Sequence, residues 1–119
     1  MTERVLVVDD SSLQRTIITG ALEDRFEIVG EAKNGREAVE RFESTAPDLV
    51  TMDIIMPEMD GVEATGRIES LTDETKVMMC TSVEQAEKMK QAVRVGADEY
   101  VTKPFDEDDL LDTATALCR

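Results

Sequence analysis

Pro47-Asp48-Leu49-Val50-Thr51-Met52-Asp53 sets a short apolar run against a carboxylate at its end. A run this short, opened by a proline and rich in strand-favouring side chains, reads as a buried strand over 47–52. Working outward, the same unit recurs in both directions. Strands are expected at 4–8, 26–32, 76–81 and 98–102. Between and after them the apolar spacing changes to three and four, which predicts helices over 11–24, 36–44, 61–71, 84–95 and 106–118. In the first helix Leu13, Ile17, Ile18, Ala21 and Leu22 keep that spacing; in the third, Val62, Ile68 and Leu71 do. In the fourth, Ala86, Met89 and Val93 are the expected inward residues. Asn34-Gly35 can signal a hairpin, but the helical spacing of Ala38, Val39 and Phe42 after it decides for a helix.

Five strands alternating with five helices argue for an α/β fold, a parallel sheet covered by helices on both faces. Ligands of such sheets sit beyond the carboxyl ends of the strands, where the strand order reverses. Chemistry-bearing residues should therefore gather where each strand stops. The first strand runs into Asp9-Asp10, the third into Asp53, the fourth into Thr81-Ser82 and the fifth into Lys103-Pro104. Singly, each has an ordinary reading. Asp9 or Asp10 could cap the next helix, as could Ser11 or Ser12; Thr81 could be a plain strand residue and Lys103 a solvated lysine. Together these readings fail, because carboxylates at neighbouring strand ends repel by about 4 kcal/mol for a close pair at an effective dielectric near 20. Such a group needs a cation, a shared proton or a lysine.

Composition narrows the chemistry. The chain has 119 residues, 41% of them hydrophobic, enough for one core and one domain. Acids outnumber bases 27 to 13, for a net charge of −14, which disfavours nucleic acid and anionic membrane as partners. The excess suits divalent cations, basic protein patches or a high-salt setting. Histidine is absent, so triads and histidine-bound metals are excluded. Cys80 and Cys118 form neither a disulfide framework nor a metal spacing, which favours a reduced, cytoplasmic setting. No leader or membrane-spanning run is visible. What remains is carboxylates, a hydroxyl and a lysine, a set suited to phosphoryl transfer. A carboxylate can form an acyl phosphate, Mg²⁺ can neutralise the charge, and lysine and hydroxyl can hold the other phosphoryl oxygens.

Four stretches carry a resemblance: Val5-Leu6-Val7-Val8-Asp9-Asp10-Ser11, Asp48 through Met56-Pro57-Glu58-Met59-Asp60-Gly61, Cys80-Thr81-Ser82, and Gly96-Ala97-Asp98-Glu99-Tyr100-Val101-Thr102-Lys103-Pro104-Phe105. In this order they resemble the receiver domain of two-component response regulators, and look most like free-standing chemotaxis regulators of the CheY type. The resemblance implies a flavodoxin-like doubly wound sheet of order 2-1-3-4-5. It implies one receiver domain over 1–119 with no output domain and no enzymatic activity on other molecules. Asp53 would take the phosphoryl group. Asp10 and Asp53 would hold Mg²⁺, with Asp9 acting mainly through water and Ile55 through its backbone carbonyl. Lys103 would pair with the phosphoryl group, Thr81 would move in to bond it, and Tyr100 would turn inward with Thr81. For Tyr100 the alternative is plain packing on the last strand. Lys103-Pro104 would be a cis peptide.

The same resemblance implies a histidine kinase as donor, a downstream motility or adaptor protein as target, a separate phosphatase, and a monomer. The partner surface would be the face of the fourth helix, fifth strand and last helix, since Lys88, Lys90 and Arg94 make that fourth helix less acidic. Its ordinary alternative is a solvated face with pairs such as Glu84–Lys88 and Glu87–Lys90. The side chains two residues after acceptor and switch hydroxyl, Ile55 and Val83, would flank the path of a hydrolytic water. A phosphorelay intermediate would look much the same. A haloacid-dehalogenase-type phosphohydrolase also uses an aspartate nucleophile but wants a second acid at the place of Ile55. A flavin carrier wants more aromatics than three Phe and one Tyr.

Overall fold

β1 (Arg4–Val8) is buried along both faces because its alternate residues serve two different layers. Leu6 and Val8 belong to one apolar cluster, Val5 and Val7 to the other. The computed structural model, which describes residues 2–119, builds the remaining elements around this strand. They are α1 (Ser12–Leu22), β2 (Glu27–Ala32), α2 (Gly35–Thr45), β3 (Leu49–Met52), α3 (Gly61–Leu71), β4 (Lys76–Ser82), α4 (Ala86–Arg94), β5 (Glu99–Lys103) and α5 (Glu107–Leu117). A 3₁₀ turn, Val83–Gln85, leads into α4.

All strand pairs are parallel and the order is β2-β1-β3-β4-β5. On one face α1 and α5 supply Ile18, Leu22, Leu110 and Ala114 against Val5, Val7, Leu49 and Met78. On the other, α2, α3 and α4 supply Phe42, Ile68, Met89 and Ala92 against Leu6, Val50 and Met79. The α/β class, the sheet order and the five helices agree with the sequence reading. Ser11, Asn34, Asp60 and Asp106 each cap a helix through a side-chain oxygen.

The helix stripes are narrower than the spacing predicted. Leu13 is 66% exposed and Leu71 56%, and each lies in an end turn of its helix. In α4 only Met89 and Ala92 are buried, whereas Val93 is 53% exposed and Ala86 is exposed too. α4 covers the sheet near its β5 edge, so a thin stripe meets β4 and the flanking apolar groups border a groove. Lys88 pairs with Asp60 at 3.3 Å instead of Glu84, because Glu84 sits in the 3₁₀ turn, out of phase with the α-helix. The expected Glu87–Lys90 pair forms at 3.5 Å.

Candidate functional site

Strand register brings the acids together. Val8 of β1 pairs with Met52 of β3, so Asp9 and Asp53, the next residues, leave adjacent strands at one level. This is the point where the order reverses, with β2 on one side of β1 and β3 on the other. Asp9 is buried and Asp53 nearly so, while Asp10 is exposed at the mouth. One carboxylate oxygen from each of the three lies within 4.8 Å of the others. An all-oxygen donor set of this kind fits a hard divalent cation and no soft one.

β4 and β5 run on past that level. Thr81 pairs with Thr102, and Ser82 with Lys103, so hydroxyl and lysine stand above the acids. Lys103 Nζ lies 2.8 Å from Asp9 Oδ2 and 3.4 Å from Asp53 Oδ2. Burial works against its charge, but the hydrogen bond to Asp9 and the charge of Asp53 outweigh it and hold the ammonium above its usual pKa. Asp53 is pushed upward by burial and then by the Asp9 charge, opposed by Lys103 and by the Ile54 N–H. That N–H donates to Asp53 Oδ1 at 2.8 Å. Thr81 is buried at the end of β4. The Lys103–Pro104 peptide is cis.

Asp9 is gripped on every side. Its N–H donates to the Ala32 carbonyl at 3.0 Å, and its Oδ1 accepts from Ser11 N at 3.0 Å. Its own carbonyl accepts from Arg15 Nη1 at 2.7 Å. Arg15 escaped the sequence reading because it is one polar residue among several on α1, and nothing local announces its reach. Gly61 is a second such residue. A Cβ there would lie 1.9 Å from the Asp53 carbonyl oxygen, and its N–H donates to Ile54 O at 2.7 Å. The loop after Asp53 can thus turn only over a bare glycine, a requirement that Asp60-Gly61 hinted at.

Tyr100 and Ile55 are both more than half exposed. Tyr100 is 51% exposed and, with Thr81, Val83, Ala86, Val93 and Arg94, borders a groove of about 600 Å³ between α4 and β5. Thr81 lines that groove, and the residue after it, Ser82, pairs in register with Lys103, so the groove opens next to the lysine end of the site. The Ile55 side chain is 52% exposed at the mouth. Cys80 is fully buried, its thiol pushed up to about 12, so it is chemically inert. Among the described residues no helix is long and apolar enough to cross a membrane.

Comparison with known proteins agrees with this geometry. The family model for the response regulator receiver domain matches residues 5–115. The chain is 50% identical to the chemotaxis protein CheY of Halobacterium salinarum, covering 94% of this chain and 93% of that one. It is 41% identical to the chemotaxis protein CheY of Bacillus subtilis, over 94% of each chain. The crystal structure of a CheX-CheY-BeF3-Mg²⁺ complex from Borrelia burgdorferi superposes with a TM-score of 0.90 at 29% identity, covering 97% of this chain and 88% of that one.

Proposed function

Because this chain belongs to the response regulator receiver domain family, we propose that it takes a phosphoryl group on Asp53 from the phosphohistidine of a partner kinase. The chain has no histidine, so the donor must be supplied by that partner. The observation that carries the reading is the grouping of three carboxylates within 4.8 Å with one lysine at 2.8 and 3.4 Å. Like charges so close repel, and cationic charge or a shared proton relieves them; a lysine already in place and an all-oxygen donor set favour the cation.

The residues divide the work. Asp53 supplies the oxygen that forms the new phosphorus–oxygen bond as the donor's phosphorus–nitrogen bond breaks. The Ile54 N–H keeps the carboxylate turned toward the mouth. Lys103 holds a phosphoryl oxygen, and Thr81 closes on another. Asp10, Asp53 and the Ile55 carbonyl would hold Mg²⁺, with Asp9 through water; when bound, the ion offsets the charge shared by carboxylates and phosphoryl group. Inward movement of Thr81 vacates space beside Tyr100, so the groove between α4 and β5 changes shape and a partner protein reads it. CheY relatives of nearly the same length support a free-standing chemotaxis regulator; in this reading it is a cytoplasmic monomer that acts through docking rather than as an enzyme on other molecules.

Acetyl phosphate and Mg²⁺ should add one phosphoryl mass to the wild-type chain and none to Asp53→Ala. Labelling of that variant, or labelling indifferent to EDTA, overturns the assignment. Beryllofluoride should move amide signals chiefly between Thr81 and Leu110.

A further inference from the structure

We propose that Arg15 is a positioning residue for Asp10, acting through the peptide bond between Asp9 and Asp10; this rests on the Mg²⁺ reading above. Arg15 sits in the first turn of α1, its N–H donating to Ser11 O at 3.0 Å. From there Nη1 donates to the Asp9 carbonyl oxygen at 2.7 Å, and Nε meets Glu31 Oε1 at 2.8 Å. Its side chain is 18% exposed, so the guanidinium is packed between the end of β1 and β2 and is not a waving surface charge.

A peptide unit is planar. Holding its oxygen fixes the direction of the Asp10 N–H and the line along which Asp10 leaves the strand. The Asp9 N–H, bonded to the Ala32 carbonyl, holds the peptide before Asp9, and the contacts from Ser11 N and Lys103 Nζ fall on the Asp9 carboxylate and orient Asp9 itself. Asp10 is exposed, so the backbone beneath it must set where its carboxylate stands. Arg15 supplies that support, and Glu31 keeps the guanidinium aimed at the carbonyl.

Charge alone predicts the opposite effect, which makes the proposal sharp. A guanidinium beside three carboxylates repels a divalent cation, so removing it should tighten Mg²⁺ if charge were its whole contribution. A positioning role predicts that removal loosens Mg²⁺.

The experiment is calorimetric titration of Mg²⁺ into the unphosphorylated full chain, with amide spectra of the same samples. Arg15→Met should weaken Mg²⁺ binding about tenfold, as loss of an outer partner of a metal ligand does, and the Asp10 amide signal should broaden or shift. Arg15→Lys, which keeps the charge and one donor, should fall between. Unchanged or tighter binding in Arg15→Met, with Asp10→Asn clearly weakened, overturns the role of Arg15 and leaves the cation reading standing. Absence of Mg²⁺ binding in wild type, or wild-type binding in Asp10→Asn, overturns both. If Arg15→Met does not fold, Arg15→Lys decides: weaker than wild type supports the proposal, equal or tighter overturns it.

Discussion

Lys103 and Asp9 stand 94 positions apart in the chain, yet their side chains meet at 2.8 Å. The contact crosses the sheet from β5 to β1, over the ends of β3 and β4, which lie between them. One lysine therefore holds the ends of the first and last strands together and offsets the charge of the acids beneath it.

Removing that lysine should show this double duty. Asp9 is 1% exposed, and an unpaired carboxylate so deep costs about 3 kcal/mol. Lys103→Met, which keeps the stem and loses the charge, should unfold earlier than wild type in urea with EDTA present. Millimolar Mg²⁺ should recover part of the loss. A variant as stable as wild type in EDTA would remove the lysine from this account.

The pH dependence follows from Asp53. Burial and the Asp9 charge hold its carboxyl above the usual value, against the pull of Lys103 and Ile54. An acid whose pKa is higher folded than unfolded costs stability when ionised. That cost is complete above the folded value and disappears as pH falls through it toward the unfolded value. Without Mg²⁺, Asp53→Asn should therefore melt above wild type at neutral pH, the gap closing on acidification. A gap that widens toward low pH would reverse the sign.

Gly61 should tolerate no side chain. The atom a Cβ would meet, at 1.9 Å, is backbone oxygen of Asp53 and cannot swing aside. Gly61→Ala should lose about 2–3 kcal/mol of stability and displace Asp53, so acetyl phosphate labelling should fall with it. Chemical denaturation and intact mass measure the two effects.

The lifetime of the phosphorylated state should be long. Ile55 and Val83, two residues beyond Asp53 and Thr81, are 52% and 66% exposed, and neither can hold a water by hydrogen bonding. Ile55→Asn with Val83→Glu should speed loss of the phosphoryl group about tenfold, about 1.4 kcal/mol of barrier. Phosphoryl loss followed at matched Mg²⁺ and salt tests this. A wild-type half-life of seconds, or a double variant no faster, defeats it.

Salt should stabilise the chain. The molecule measures 31 × 29 × 25 Å, close to the screening length of about 30 Å at 0.01 M salt. At low salt its net −14 charges therefore repel across the whole body. The melting temperature should climb from low to molar KCl with Mg²⁺ held fixed. A flat profile would reject the idea that the acid excess suits the chain to high salt.

By itself the sequence determined the layered architecture and the level at which the acids gather. Both are local matters: strand and helix periods are written in neighbouring residues, and Asp9, Asp53, Thr81 and Lys103 each directly follow or close an apolar run. Caps were legible for the same reason, with Ser11 taking the role left open among four candidates. What only the tertiary structure decided concerns groups whose partners arrive from elsewhere. Helical spacing marks an apolar stripe, but neighbouring elements decide how much of it is covered, so Met89 and Ala92 are buried while Val93 and Leu13 are not. Long charged side chains choose among partners several ångströms away, so Lys88 reaches Asp60 and Arg15 reaches the Asp9 carbonyl. No pattern along the chain encodes those choices, because they depend on the distance between elements that meet only after the sheet has closed over its two cores.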